Sequence, residues 1–146
     1  MGTLLDTTVF IELERAVRRL APDRAMTEVS ARLEEQLGAA EEVGIASITA
    51  SELLHGVHRA SAHRARREAF VEAVIAAFPA ISFDLLAARA HARLWAELAA
   101  AGLDAGAHDR LVAATAITAG WRVGTASIRH FDRIPGLDIV TITFAS

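Results

Sequence analysis

The sequence has no cysteine, no long apolar run and no excess of positive charge. Without cysteine, disulfide bonds and thiolate metal sites are both excluded. No apolar segment approaches the roughly 18 residues that span a membrane. An aspartate at position 6 interrupts the first apolar segment too early for a signal peptide. We therefore expect a cytoplasmic protein that does not associate with membranes.

The net charge of −3 limits the kinds of partner that the protein can hold. Proteins that hold nucleic acid by charge alone are usually strongly basic, and this chain is not. If the protein acts on nucleic acid, its acidic residues must therefore have a specific task. One such task is to bind a metal ion that meets the phosphate, because the ion reverses the local charge.

Hydrophobic residues make up 53% of the 146 residues, which argues against disorder and fits a single domain over positions 1–146. Short apolar segments alternate with longer amphipathic ones, and this pattern predicts strands that alternate with helices. The predicted strands lie at 3–6, 44–48, 81–83, 122–125 and 138–142. Such an alternation implies an α/β fold of three layers, α/β/α, with a mostly parallel central sheet of four to five strands.

Helix boundaries are predicted from capping residues and helix breakers. Pro22 is expected to separate a first helix from an amphipathic helix at 28–42. Thr49 or Ser51 is expected to cap the helix that follows the second strand, and Asp84 to cap a long alanine-rich helix.

Three acidic residues fall where predicted strands and helices meet. Asp6 ends the first strand, Glu52 lies in the first turn after the second, and Asp109 opens the helix before the fourth. Ligands of open α/β sheets bind outside the carboxyl ends of the strands, so these side chains are expected to converge there. Clustered carboxylates repel one another unless a cation neutralises them. Mg²⁺ and Mn²⁺ prefer such oxygen ligands and assist reactions at phosphates.

Each of these residues also has an ordinary structural interpretation. Asp6 can be a turn or helix cap, and Asp109 taken alone is more often an N-cap than a ligand. Glu52 can be a first-turn glutamate that the helix dipole favours. The three positions as a set favour a metal site, whereas periodicity alone does not distinguish that site from helix capping.

Four segments, in order along the chain, resemble the motifs of one nuclease family. They are LLDTTVFI at 4–11, ASITASELLHGV at 46–57, DRLVAATA at 109–116 and GTASIRHFDRIPGL at 124–137. The first joins an aspartate to a small hydroxyl residue and an apolar run, and the second places a glutamate before a leucine. Together they resemble the PIN-domain nucleases from one end of the chain to the other.

Within that family, the chain resembles the VapC branch in its small size; VapC proteins are the toxins of bacterial toxin–antitoxin pairs. The resemblance implies a PIN-like fold and a Mg²⁺- or Mn²⁺-dependent endoribonuclease that cleaves tRNA or ribosomal RNA and so inhibits translation. It implies that Asp6, Asp109 and Glu52 hold the metal, and that Thr125 positions a metal-bound water or Asp109. It also implies a homodimer, and neutralisation by a VapB-type antitoxin in a hetero-oligomer.

Ser127 departs from the family pattern. The family commonly has Asn or Asp two residues after the threonine, and a serine brings no charge and less reach, although it can still orient water or a ligand. The departure leaves open whether a second metal binds. It also supports an alternative in which the chain is a catalytically weakened PIN-fold protein that binds RNA or antitoxin.

Basic side chains lie near these motifs. The stretch at 58–67 is the most basic part of the chain, with four arginines. Such a cluster is usually a solvated helix face, and the alternative is a surface that follows a phosphate backbone. His108 and His130 adjoin motif residues and are candidates for contacts with RNA.

Overall fold

The computed structural model describes residues 2–144. This part of the chain contains five strands and six α-helices, with a pair of helices after each of the first three strands. In chain order they are β1 Gly2–Leu5, α1 Thr7–Val17, α2 Pro22–Leu37, β2 Glu42–Ala46, α3 Ser47–Arg59, α4 Arg64–Ala77, β3 Ala80–Ile81, α5 Leu85–Ala100, α6 Ala107–Ala119, β4 Arg122–Thr125 and β5 Ile139–Thr141. A short 3-10 turn, Ile128–His130, lies between β4 and β5.

The strands form one sheet in the order β3-β2-β1-β4-β5, and every neighbouring pair is parallel. Leu5 packs into an apolar cluster with α1, α2, α3 and α4, whereas Leu4 packs into a second cluster with α5 and α6. Successive side chains of a strand point to opposite faces, so the two leucines of β1 contribute to separate cores. The predicted three-layer α/β/α fold with a parallel sheet is confirmed.

The position of β1 in the middle of the sheet determines where a ligand can bind. From β1 the chain passes to β2 and β3 on one side, and it then returns to β4 and β5 on the other. The carboxyl ends of β1 and β4 therefore border a topological switch point, the usual ligand site of such sheets. Asp6 follows β1 and Thr125 ends β4, so both stand at this crevice.

The structure corrects the predicted bounds of α2. The helix begins at Pro22 rather than at position 28, and it ends before Gly38 rather than at 42. Proline has no N–H that the first turn requires and its fixed φ suits a helix start, so Pro22 begins a helix as well as separating two. Gly38 has a φ of +93°, which glycine adopts readily and which ends the helix.

The start of α3 also differs from the prediction. The helix begins at Ser47, so Thr49 and Ser51 lie inside it and do not cap it, and Glu52 stands in the second turn instead of the first. Thr49 is buried, and its hydroxyl has no hydrogen-bond partner among residues 2–144. Periodicity does not place this boundary, because a short apolar segment looks the same in a buried strand and in the first turn of a buried helix.

The remaining bounds agree more closely. Asp84 caps α5 as predicted, and its Oδ1 accepts a hydrogen bond of 2.9 Å from a backbone N–H of the first turn. β3 and β5 are shorter than predicted. Both are edge strands that pair on one side only, and such strands are commonly short. No helix within residues 2–144 has both the length and the apolar character needed to cross a bilayer.

Candidate active site

Asp6 connects β1 to α1 and is only 4% exposed. Both of its carboxylate oxygens accept a threonine hydrogen bond, Oδ1 from Thr8 at 2.6 Å and Oδ2 from Thr125 at 2.9 Å. The backbone N–H of Asp6 donates to the carbonyl of Gly124 at 3.0 Å. Because these partners belong to α1 and β4, the fold fixes the carboxylate at the crevice between β1 and β4.

Backbone donors hold the two threonine hydroxyls in place. The N–H of Ala126 donates to Thr8 Oγ1, and the N–H of Ser127 donates to Thr125 Oγ1, each at 3.0 Å. The two hydroxyls themselves lie 3.2 Å apart. An N–H aimed at each hydroxyl oxygen leaves the hydroxyl proton available for the carboxylate of Asp6. Thr8 and Thr125 are therefore positioning residues for that carboxylate.

The threonines differ in how far sequence reasoning finds them. Thr125 is a predicted site residue, but its hydroxyl bonds to Asp6, and no hydrogen bond joins it to Asp109 within residues 2–144. Thr8 is a site residue that the sequence interpretation missed. The signal for it is its spacing, because the second residue of a helix lies within reach of the side chain at the N-cap, and Asp6 is the N-cap of α1.

Burial raises the pKa of Asp6 above its ordinary value, because desolvation disfavours the charged form. The hydrogen bonds from Thr8 and Thr125 lower this pKa in part, and the charge of Asp109 raises it further. A buried carboxylate that is repelled by a second carboxylate is a group that a bound cation stabilises.

Asp109 is the third residue of α6, and its side chain is 25% exposed. It does not cap the helix, because Gly106 occupies the N-cap position and no side-chain cap bond forms. A methyl group at position 106 would lie 2.9 Å from Asp109 Oδ2, so the glycine leaves room for the carboxylate. Burial raises the pKa of Asp109; the charge of His130 lowers it and the charge of Glu52 raises it.

Glu52 is held by two neighbours that the sequence does not place beside it. Thr7 donates to Glu52 Oε1 at 2.8 Å, and His108 Nδ1 lies 3.2 Å from Glu52 Oε2. His130 occupies a similar place beside Asp109, with 3.9 Å between Nδ1 and Oδ2. Both histidines are about half exposed. Their predicted contact with RNA stays a prediction, and the structure places both of them against carboxylates of the site.

The three predicted acidic residues lie at one edge of the sheet but do not close into one ligand set. The charge of Asp109 acts on Asp6, and the charge of Glu52 acts on Asp109. In the part of the chain that the structure describes, no three Asp, Glu or His side chains are grouped closely enough to hold one metal ion. In chemical type the donors suit Mg²⁺ or Mn²⁺, which prefer carboxylate oxygens.

Ser127 reaches the site through its backbone. Its N–H donates to Thr125 Oγ1, and its carbonyl, 3.2 Å from that oxygen, is a second and more distant acceptor for the single hydroxyl proton. Within residues 2–144, the Ser127 hydroxyl forms no hydrogen bond with Asp6, Glu52 or Asp109. The position therefore supports Thr125 whichever side chain it carries, and the predicted role of the serine side chain stays a prediction.

Comparisons of the sequence and of the fold with known proteins give consistent results. The family profile of the PIN domain matches residues 3–137. Ribonuclease VapC1 of Rickettsia felis is 33% identical over 145 residues, which cover 98% of each chain. The tRNA(fMet)-specific endonuclease VapC of Salmonella typhimurium is 37% identical over 95 residues, 65% of this chain and 71% of that protein. The crystal structure of DNA-bound VapBC from Salmonella typhimurium matches with a TM-score of 0.79 at 29% identity, covering 98% of this chain and 99% of the other.

The matched region contains the whole candidate site. Residues 3–137 include Asp6, Glu52, Asp109 and Thr125, together with β4 and all of β1 except Gly2. The relative from Rickettsia felis extends the match over nearly the full length of both proteins. The chain therefore belongs to the PIN-domain family, in its VapC branch.

Proposed function

We propose that this chain is a metal-dependent endoribonuclease toxin, which cleaves RNA, inhibits translation and is neutralised by a VapB-type antitoxin. The observation that carries the proposal is the placement of Asp6, a buried carboxylate held by Thr8 and Thr125 at the carboxyl ends of parallel strands. Membership of the VapC branch supports the reaction class, since relatives at this similarity are named ribonucleases.

The proposed reaction is hydrolysis of a phosphodiester. The oxygen of a water molecule bonds to phosphorus as one P–O bond to ribose breaks, and the departing oxygen takes up a proton. A divalent cation, when bound, supplies Lewis-acid chemistry: it offsets charge on the phosphate and makes water a better nucleophile at neutral pH. The carboxylates of Asp6 and Asp109 are the proposed ligands, with Glu52 as a third.

The proposed roles of Asp6 and Glu52 differ because their carboxylates are held by different contacts. Asp6 is preorganised, because both of its oxygens are already hydrogen-bonded to threonines. Glu52, whose Oε1 accepts from Thr7 and whose Oε2 lies 3.2 Å from His108 Nδ1, is the carboxylate proposed to ligate the ion or to orient the attacking water. No covalent enzyme intermediate is required, since water attacks the phosphate directly.

The partners follow from the family. The neighbour from Salmonella typhimurium was solved as a VapBC complex, which supports a toxin–antitoxin hetero-oligomer for this chain. A homodimer of the toxin is part of the same proposal. Because one relative is named a tRNA(fMet)-specific endonuclease, tRNA is the substrate to test before ribosomal RNA.

The direct test is cleavage of purified total tRNA by the chain with Mg²⁺ or Mn²⁺, with and without EDTA. Cleavage should need the ion, and Asp6→Asn should reduce the rate by at least about a hundredfold, because a metal contributes several kcal/mol to such a reaction. Asp132→Asn is the matched control, since Asp132 is an exposed aspartate of the same four-motif region. Activity that survives both EDTA and Asp6→Asn refutes the proposal.

Ser127 motivates a second candidate, a PIN-fold protein that binds RNA or antitoxin but turns over weakly. The family commonly has Asn or Asp at this position, and the Ser127 hydroxyl makes no contact with the carboxylates among the described residues. If the serine limits turnover, Ser127→Asn should raise the cleavage rate sharply while RNA affinity stays constant. An unchanged rate counts against this candidate.

A further inference from the structure

A groove between α1, α3 and α4 begins at the candidate active site. Its first part is lined by Thr7 and Glu52, which are hydrogen-bonded to each other, and it continues past Arg15, Arg18 and Arg67. An adjoining cleft shares Arg18 and Arg67 and adds Arg66. We call the region that contains these four arginines the arginine groove. The groove therefore links the acidic edge of the sheet to the basic start of α4.

The charge of the arginine groove is opposite to that of the whole protein. The chain carries a net charge of −3, yet four guanidinium groups border the groove against two lining carboxylates, Glu14 and Glu52. Arg15 lies eight residues beyond Thr7 on α1, about 12 Å along the helix axis at 1.5 Å per residue. The first arginine of the groove therefore lies about 12 Å along α1 from Thr7, which is hydrogen-bonded to Glu52.

The arginines are available to a new anion. Arg15 pairs with Glu12 at 3.2 Å and Arg67 with Glu14 at 3.5 Å, and both arginine side chains are about half exposed or more. Exposed ion pairs of this kind contribute little to stability, so a phosphate can replace the carboxylate at small cost. Of the residues that the structure describes, no carboxylate forms an ion pair with Arg18 or Arg66.

Of the apolar residues that line the groove, Ile11 is exposed and Phe70 is partly exposed, whereas Phe10 and Leu53 are buried. An apolar floor alone suits an amphipathic protein helix as well as the bases and riboses of single-stranded RNA. The four arginines favour the polyanion, because they outnumber the lining carboxylates and phosphates can balance the excess positive charge. We infer that the arginine groove binds the backbone of the RNA substrate and leads it to the carboxylates, an inference that rests on the proposed ribonuclease function.

The test measures binding without cleavage. Asp6→Asn protein in EDTA is titrated against fluorescently labelled tRNA, and the Kd is followed over a series of salt concentrations. Each double variant, Arg15→Gln/Arg18→Gln and Arg66→Gln/Arg67→Gln, is expected to weaken binding about tenfold. The salt dependence should also become shallower by about 1.4 in the log–log slope, as expected for two lost phosphate contacts on a single strand.

The control is Arg89→Gln/Arg93→Gln, which removes two exposed arginines from α5 in the layer on the opposite side of the sheet. This variant should keep the wild-type Kd and salt slope. Equal losses in the control and groove variants overturn the inference, as does an unchanged Kd in both groove variants. Unchanged RNA binding together with loss of a co-expressed VapB-type antitoxin from the purified complex also overturns it, and identifies the groove as a protein site.

The same experiment separates this inference from the proposed function. If the groove variants lose affinity for tRNA but the wild-type chain does not cleave it with Mg²⁺ or Mn²⁺, the groove stands and the nuclease proposal fails. If the wild-type chain cleaves tRNA and the groove variants bind it normally, the nuclease proposal stands and the groove inference fails.

Discussion

The two sides of the candidate site are built differently. Asp6 is buried, and both of its oxygens are hydrogen-bonded to hydroxyls that backbone N–H groups hold in place. Asp109 and Glu52 are partly exposed, and their neighbours include two half-exposed histidines. The fold thus fixes one carboxylate before any ion or substrate arrives. The other two are more exposed, and ordering an exposed side chain on a ligand costs conformational entropy.

The three acidic residues share an edge of the sheet but do not form a closed ligand set in the described residues. The carboxylates repel one another, as the raised pKa values of Asp6 and Asp109 reflect in part. The following four predictions test this comparison, from the largest expected effect to the smallest.

Thr125→Val should have the largest effect, because it removes a hydrogen bond to a buried carboxylate without changing the size of the side chain. Hydrogen bonds to charged groups are worth about 1.5–3 kcal/mol, which corresponds to a roughly ten- to hundredfold slower cleavage of tRNA. Thr118→Val is the control, because Thr118 is exposed on α6. Equal rates for the two variants contradict the idea that Asp6 must be held.

Gly106→Ala should affect Asp109, on the partly exposed side of the site. The φ of Gly106 is −55° and its ψ is 146°, so alanine fits the backbone, but its methyl group would displace the carboxylate of Asp109. We expect about tenfold slower cleavage with little change in Tm, because the entropy gained by replacing glycine is offset by the poorer N-cap preference of alanine. A large fall in Tm contradicts this explanation.

A double-mutant comparison sharpens that prediction. If Gly106→Ala acts through Asp109, it should slow Asp109→Asn protein no further, since the carboxylate that it displaces is already gone. Additive losses in cleavage rate show that position 106 acts by another route.

The buried carboxylate should reduce stability at neutral pH. The folded-state pKa of Asp6 is raised, so the native protein binds this proton more tightly than the unfolded chain does. The free energy of unfolding therefore falls as the pH rises from about 3.9, the ordinary value, through the raised pKa, and stays lower above it. Asp6→Asn removes this loss, so its Tm relative to wild type should rise between pH 3 and pH 7. A constant difference in Tm contradicts the raised pKa.

The smallest effect is expected for His130→Gln. The charge of His130 lowers the pKa of Asp109, so its removal should move the acid limb of the pH–rate profile to higher pH. Arg129→Gln is the control at the neighbouring exposed position. Because His130 is about half exposed, the shift should be small. A shift to lower pH shows that the interaction between His130 and Asp109 has the opposite sign.

Much of the fold and part of the site are predictable from the sequence. The alternation of short apolar segments with amphipathic ones indicates a parallel sheet between helices, since both faces of such a sheet must be covered. Parallel strands end at a common edge of the sheet, so the sequence alone predicts that Asp6, Glu52 and Asp109 lie at that edge. The turn of α3 that carries Glu52 is not predictable in this way, because its apolar start resembles the end of a strand.

The sequence by itself determined the layers, the edge of the sheet that carries the acids and the family. Only the tertiary structure decided which groups hold each carboxylate. Thr125 and Asp6 stand 119 residues apart, and their hydrogen bond exists because β1 and β4 are neighbours in the sheet. Local patterns record burial and helix or strand periodicity, whereas the partner of a buried carboxylate depends on which distant segments pack against it.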